Sequence, residues 1–341
     1  MNTEEPLMNA NKREFKTKKK LFVVYSRLFA FIRGSFAVSF VVIRGYSRLI
    51  RLPNVFTALA DIWAGYLIMR GLTQSPGYAV LGELCGVSAA LYLAGMAFND
   101  IADRHVDKLS RPERPIPSGQ VSLAGAIVCA GSLMIAGILL SATAHRLSLI
   151  LALFLVSCIL AYDFFLKGNV FFGPLMLGAC RFLNMLIGMS ASEDILILLA
   201  NNPFWQAPVG AALSVGIYTI GLTAFSAQEE LGKQRRALIL GSLFCGGGIL
   251  LAGFGSHSAL SWVFLGPLAV VLVFLILRLA RLGTARAARD LVCAGVFGIC
   301  LLDAGLLIGC VGRPAWLTAL ACAALVLPSL LIAQRLAQKE A

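Results

Sequence analysis

A chain of 341 residues that is 59% hydrophobic and only 13% charged, with mean hydropathy +0.83, excludes a water-soluble globule. Its net charge of +12 falls mainly in the tail and loops, which is a topology signal and argues against nucleic acid as a partner. The nine cysteines lie in or beside apolar runs without CxxC spacing, and the three histidines are scattered, so redox and zinc-protease chemistry are poor readings.

Residues 1–20 are polar, carry Lys18, Lys19 and Lys20, and predict a basic tail. From 21 to 50 the chain is apolar but broken by Arg27, Arg33, Arg44 and Arg48, so no uncharged stretch is long enough to span. This part is expected to lie on the inner membrane face, held by apolar side chains and anionic lipid. It lacks a small-residue cleavage signature, so no cleaved signal peptide is expected. Residues 1–50 form one predicted unit, and 51–341 a single transmembrane domain.

Ten apolar runs follow: Asn54–Leu72, Tyr78–Phe98, Val121–Thr143, Leu147–Leu166, Val170–Ser190, Ala207–Ser226, Ala237–Phe254, Ala259–Leu277, Leu291–Gly309 and Ala315–Ala333. Each approaches the ~20 residues that a bilayer core requires of a helix, so the fold class is all-α, a polytopic helical bundle. Nine spans would require two of the last runs to be one broken helix. With both termini inside, the cytoplasmic side collects 25 of the 29 lysines and arginines and the outside loops keep only Arg70, Arg146 and Arg313. The charge distribution thus predicts ten spans in an inner membrane, with the loop after the second span facing the cytoplasm.

That loop follows the chemically loaded stretch Asn99-Asp-Ile-Ala-Asp-Arg-His-Val-Asp107. On a helix Asp100, Asp103 and Asp107 stand at i, i+3 and i+7, nearly one face, with the Asn99 amide beside them. Crowded carboxylates repel, and a hard divalent cation relieves them; Mg²⁺ favours a few carboxylates together with substrate phosphates. The alternative is a solvated helix end with Arg104 and Lys108 pairing the acids. Downstream, Lys108-Leu-Ser-Arg111-Pro-Glu-Arg114-Pro-Ile-Pro-Ser-Gly119 places arginine forks, suited to phosphate oxygens, on a proline-stiffened loop.

Asp61, Glu83, Arg181, Asn184 and Asp303 lie inside apolar runs, where an ionised group costs roughly 2.5–3.5 kcal/mol and needs a cavity or a partner. Arg181 and Asn184, one turn apart, are candidates to meet a diphosphate or an acceptor head group. An ion pair of Arg181 with Glu83 or Asp61 is the competing reading. Asp163 has the i, i+4 spacing to pair with Lys167. Phe98, Phe164, Phe165, Phe171 and Phe172 cluster near one membrane level, which suits either interface anchoring or stabilisation of a cation.

NDxxDxxxD followed by RPxRPIPSG, from Asn99 to Gly119, resembles the first signature of the UbiA superfamily of intramembrane prenyltransferases. Two further elements are similar to that family: Arg51-Leu-Pro-Asn54, and Tyr162-Asp-Phe-Phe-Leu-Lys167 at the end of the fourth span. Segments Asn54–Gly65 and Cys180–Ser190 look most like its EboC-like branch. The likeness implies a bundle around a central cavity open to lipid. It also implies Mg²⁺-dependent transfer of a prenyl group from a polyprenyl diphosphate to a small or lipid-linked acceptor, among membrane lipids. In that reading Asn99, Asp100, Asp103, Asp107 and Glu230 hold metal, Tyr162 and Lys167 join the reacting centre, and Arg111, Arg114 and Lys233 neutralise phosphate. Asn54, Asp61, Arg181, Asn184 and Ser226 line the substrate site.

The family's second acidic motif, DxxxD, is altered here to Ser226-Ala-Gln-Glu229-Glu230. Ser226 and Glu230 keep the i, i+4 spacing with one carboxylate, and Glu229 is an alternative ligand. This departure leaves open a non-catalytic protein that binds or helps export an isoprenoid-linked metabolite. An ion-coupled transporter fits less well, because the acids stand at a helix end and not at mid-membrane.

Overall fold

The computed structural model describes residues 43–72, 78–191, 208–231 and 235–337. The expected basic tail, most of the interfacial segment and Lys233 lie outside the described residues, as do the side chains of Glu229 and Glu230.

Among the described residues every regular element is helical. They are α1 (Val55–Leu72), α2 (Tyr78–Ser110), α3 (Leu123–Ala144), α4 (Arg146–Ala161), α5 (Phe172–Met189), α6 (Val209–Leu231), α7 (Arg235–Phe254), α8 (Trp262–Leu282), α9 (Ala285–Val311), α10 (Trp316–Ala324) and α11 (Val326–Ala337). A 3-10 turn, Leu52–Asn54, precedes α1, and a π-helical turn, Tyr162–Leu166, continues α4. Ten of the described segments are long and apolar enough to cross a membrane, at the positions the sequence predicts.

Several boundaries differ: α6 runs on to Leu231, α8 to Leu282, and α9 starts at Ala285. The second span was expected to stop at Phe98, but α2 runs unbroken for 33 residues, about 50 Å at the helical rise, so its last turns project beyond a ~30 Å hydrocarbon layer. The last span consists of α10 and α11, meeting at Leu325. Pro328 explains the break, since its ring clashes with the carbonyl four residues earlier and it has no N–H to donate.

Helices α1, α5, α6 and α9 close into a ring, α1 and α6 each packing on both α5 and α9. Helices α2, α3 and α4 bridge α1 to α5 on one flank, and α7 and α8 cover α6 and α9 on the other. Burial agrees: 67% of the apolar window is buried in the spans of α1 and α9, against 22% in those of α3 and α4. Leu139, Phe154, Phe274 and Leu317 stand exposed on the outer face, as lipid-facing residues do. The α1–α5 contact is set by glycine, because a Cβ at Gly188 would lie 2.6 Å from the Ile62 carbonyl oxygen and one at Gly65 2.5 Å from that of Met185. Without hydrophobic drive between helices in lipid, such close backbone approach holds a bundle together.

The described end of the expected interfacial segment packs on protein. Leu49 is fully buried in a cluster with Ala97 and Ile101 of α2, Val121, and Ala126 and Ala130 of α3. Residues 43–49 are helical, and Arg48 reaches from them to the Glu113 carbonyl in the arginine loop, 3.4 Å.

Candidate active site

The three acids of α2 share a face, but they do not fan into water. Asp100 and Asp107 are buried, and the Asp103 side chain is about one-quarter exposed, at 26%. The loop from Arg111 to Val121 folds back over them. Its turns close through Arg114 N–H to the Arg111 carbonyl, 3.1 Å, and Ser118 N–H to the Arg114 carbonyl, 2.9 Å. Gly119 takes a left-handed φ of 75°, which a side chain would strain. Arg114 is thereby brought over the stripe, its Nη1 2.6 Å from Asp100 Oδ1 and 3.4 Å from Asp107 Oδ2.

Two further cations come from distant elements. Arg51 is the one non-glycine among the described residues with positive φ, 47°. That conformation, at the N-cap of the 3-10 turn Leu52–Asn54, sends its Nη2 to Asn99 Oδ1 and Asp100 Oδ1, 3.1 Å each. Lys167 pairs with Asp103. The π-helical turn makes this possible: Lys167 N–H donates to the Tyr162 carbonyl, 3.0 Å, which widens the coil and swings Lys167 across to α2. The same turn points Asp163 inward, where Asn99 Nδ2 donates to its Oδ1 at 3.3 Å. The expected Asp163–Lys167 pair is therefore not the arrangement found, because i, i+4 alignment holds only in a regular α-helix.

This polar end opens into a cavity of about 310 Å³. Arg51, Asn54, Asn99, Tyr162, Asp163, Arg181 and Asn184 are its polar lining, and the wall is otherwise largely apolar, with Leu91, Leu155, Ile159, Leu222 and Val296. Helix α6 contributes Ser226, whose hydroxyl donates to the Thr223 carbonyl in its own helix, 2.8 Å. None of Phe98, Phe164, Phe165, Phe171 and Phe172 lines the cavity. Phe165 and Phe171 are 82% and 71% exposed, so the anchoring reading is the one their position supports. Tyr92 and Tyr162 supply the aromatic faces instead.

Arg181 Nη1 donates to Asp61 Oδ2 at 2.9 Å and its Nη2 to Thr57 Oγ1 at 2.7 Å, with the guanidinium 5.5 Å from the Tyr92 ring centre. Asn184 Nδ2 donates to Asp61 Oδ2 and to the Ala58 carbonyl, both 2.9 Å, while its Oδ1 accepts from Ser88 Oγ at 2.7 Å. Asp61 is fully buried and does not line the cavity. It stands behind the wall as the partner of Arg181, whereas Glu83 is exposed on α2.

Of the residues singled out in the sequence, Asn54, Asn99, Tyr162, Arg181, Asn184 and Ser226 meet at this cavity, and Asp100, Asp103, Asp107, Arg114 and Lys167 cluster beside its mouth. Arg111 caps α2, its N–H donating to the Asp107 carbonyl at 2.8 Å, and does not line the cavity. The acids find their partners across the fold, while Arg104 turns to the Ile101 carbonyl, 2.9 Å, so the locally paired helix end is not what forms. Sequence reasoning gave Arg51 no role of its own, offered Asp163 only a pairing with Lys167, and gave Asp303 no named partner. The Arg-Leu-Pro-Asn element was the available signal for Arg51.

Comparison with known proteins decides the family. The sequence profile described as the UbiA prenyltransferase family matches residues 58–292, well over half of the chain. This chain belongs to that family. Among its relatives, digeranylgeranylglyceryl phosphate synthase of Haloquadratum walsbyi is 36% identical over 130 residues, 37% of this chain and 43% of that protein. The synthase of the same name from Metallosphaera sedula is 32% identical over 143 residues, 42% of this chain and 50% of that protein. The chain therefore spans half or less of these curated UbiA relatives. Two solved structures share the fold: a UbiA homolog from Aeropyrum pernix K1 has a TM-score of 0.60 at 18% identity, covering 74% of this chain and 97% of that one. A UbiA homolog from Archaeoglobus fulgidus bound to GPP and Mg²⁺ has a TM-score of 0.55 at 13% identity, covering 77% and 99%. The chain is accordingly a multi-pass integral membrane protein of UbiA architecture.

Proposed function

We propose that this UbiA-family protein transfers a prenyl group from a polyprenyl diphosphate to a small or lipid-linked acceptor, with Mg²⁺ as cofactor. One observation carries the reading: an acid stripe interleaved with Arg51, Arg114 and Lys167 forms the mouth of a cavity whose wall is largely apolar. Charged groups suit a diphosphate, and apolar walls suit an isoprenoid chain. The A. fulgidus relative, solved with GPP and Mg²⁺, supports it.

The donor set suits the metal. Asp100, Asp103 and Asp107 offer hard carboxylate oxygens and Asn99 an amide oxygen, and Asp107 Oδ2 is buried without a hydrogen bond. As placed, no three acidic, histidine or cysteine side chains among the described residues converge to hold an ion, since Arg114 and Lys167 occupy the carboxylates. Both cations have a better partner in phosphate, and moving to it frees the acids. Asp100, Asp103 and Asp107 would hold Mg²⁺, which when bound would supply positive charge to stabilise the departing diphosphate. Glu230 and Lys233 join this set on sequence spacing alone.

Arg51, Arg114 and Lys167 then offset the charge that develops on the leaving group. The bond between the prenyl C1 and the diphosphate oxygen breaks, its electron pair leaving with diphosphate. The acceptor nucleophile forms a new bond to C1, and its proton passes to diphosphate. Apolar walls keep water from the allylic cation. The charge distribution supports a mouth facing the cytoplasm in an inner membrane, with residues 1–50 as a basic tail and interfacial unit beside one transmembrane domain.

The experiment uses purified protein in lipid nanodiscs, Mg²⁺, and labelled prenyl diphosphates of several lengths with an acceptor panel. Asp103→Ala and Asp107→Ala are each expected to lower transfer roughly a hundredfold or more; undiminished transfer in both variants refutes the assignment. Ser226, which satisfies its hydroxyl within its own helix, favours a second reading as a binding or export protein. Metal-dependent binding of prenyl diphosphate without product on any acceptor would select that one.

A further inference from the structure

We propose that the wall around Arg181 is the subsite for the acceptor's head, and that it selects an uncharged oxygen-bearing head, a hydroxyl or carbonyl, over a carboxylate or phosphate. The assignment rests on the prenyl-transfer reading and names the substrate class of that same cavity. Arg181 lies nine residues into α5, about 14 Å by helical rise from the end of that helix nearest the acid stripe. A diphosphate held at the mouth would leave this region to the second substrate.

The side chains here divide into those that are used up and one that is not. Both amide hydrogens of Asn184 are committed, to Asp61 and to the Ala58 carbonyl, and its oxygen accepts from Ser88. Thr57 accepts from Arg181 and donates to the Asn54 carbonyl at 2.8 Å. Among the described residues Arg181 directs its five N–H donors at two hydrogen-bond partners, Asp61 and Thr57, while lining the cavity. It therefore keeps donors for a ligand, and Asn184, Thr57 and Asp61 fix its orientation.

The charge behind that arginine decides what it takes. Asp303 of α9 is fully buried and faces Asp61. Asp61 Oδ1 and both Asp303 oxygens are buried without a hydrogen-bond partner. Two adjacent carboxyls stripped of water cannot both stay ionised; one proton held between them pairs an oxygen of each and leaves a single negative charge. Arg181 balances it, so the wall offers directed donors with no net positive charge. An anion would give up its hydration here for an arginine whose charge is already matched, whereas an uncharged oxygen accepts the same N–H groups without that loss. A glyceryl phosphate, which the relatives' name implies, is the wrong charge for this wall.

Matched probes test this in the full chain in nanodiscs: 1-O-octylglycerol against its phosphate, and 4-hydroxybenzyl alcohol against 4-hydroxybenzoate. Binding is measured by equilibrium dialysis with Mg²⁺ and an unreactive geranyl thiolodiphosphate present. The uncharged member of at least one pair is expected to bind about tenfold tighter or better, and Arg181→Met to abolish that binding. Asp61→Asn and Asp303→Asn alone are expected to keep the preference, because either acid alone still balances Arg181. The double variant leaves the arginine unmatched and is expected to reverse it. Tighter binding of the anionic member by the unaltered protein, binding of no probe, or a preference indifferent to both Arg181→Met and the double variant overturns the proposal. Thiolodiphosphate binding, read in the same samples, reports the mouth separately: its loss in the unaltered protein defeats the prenyl-diphosphate reading, and its retention in variants shows they are folded.

Discussion

Arg51 shows how one residue's backbone can carry a site. Left-handed φ costs an L-residue roughly 1–2 kcal/mol, and a non-glycine side chain persists there only when its surroundings hold it. Here they do, through Asn99 and Asp100 at 3.1 Å. Arg51→Gly removes the strain together with the guanidinium, so the melting temperature is expected to stay level or rise slightly. Affinity for Mg²⁺ with prenyl diphosphate is expected to fall at least tenfold, in line with the ~1.5–3 kcal/mol of a charged hydrogen bond. Arg51→Gly with wild-type affinity would remove Arg51 from the site. Neither φ nor the reach of this side chain is written in Arg-Leu-Pro-Asn as local spacing. The Asp163 misreading has a similar origin, since periodic reasoning assumes an α-helix and a single π-turn shifts every later side chain.

At the scale of the helix, what the sequence made plain was what repeats: apolar length, basic loops, and the i, i+3, i+7 stripe from Asp100 to Asp107. Those follow from helical geometry and bilayer thickness, which act locally. The partners of the stripe were not legible, because Arg51 and Lys167 reach it only after α1 and the end of α4 pack beside α2. The altered second motif on α6 is the sharpest element-level case. Ser226 lines the cavity but offers only a hydroxyl that its own helix already satisfies. Ser226→Asp places a carboxylate at that position with Glu230 one turn on. Mg²⁺ affinity in the presence of prenyl diphosphate is expected to rise about tenfold, as measured by calorimetric titration. An unchanged or weaker affinity would show that α6 stands too far from the acids of α2 to share an ion.

The whole molecule separates its polar work into two places on one cavity, a charged mouth held by α1, α2 and the turn after α4, and a neutral wall where α1, α5 and α9 meet. At the mouth, carboxylates and cations currently satisfy one another, which has a thermodynamic consequence. Mg²⁺ alone must compete with Arg114 and Lys167 for Asp100, Asp103 and Asp107, and diphosphate alone must approach three carboxylates. On the proposed reading the acids would hold the metal and the cations the phosphate when both are bound, so each ligand would remove the obstacle to the other, and linkage makes the coupling equal in both directions. A ligand that binds only the folded state at a hundred times its Kd stabilises by about 2.7 kcal/mol. Thermal unfolding in nanodiscs is therefore expected to show small shifts for Mg²⁺ or an unreactive prenyl diphosphate analogue alone, and for the two together a shift well above their sum. Asp103→Ala, which removes the partner of Lys167, is expected to weaken that synergy while leaving the analogue's own shift intact or larger. Additive shifts in the unaltered protein would mean that metal and diphosphate occupy independent places, and the exchange of partners at the mouth would have to be abandoned.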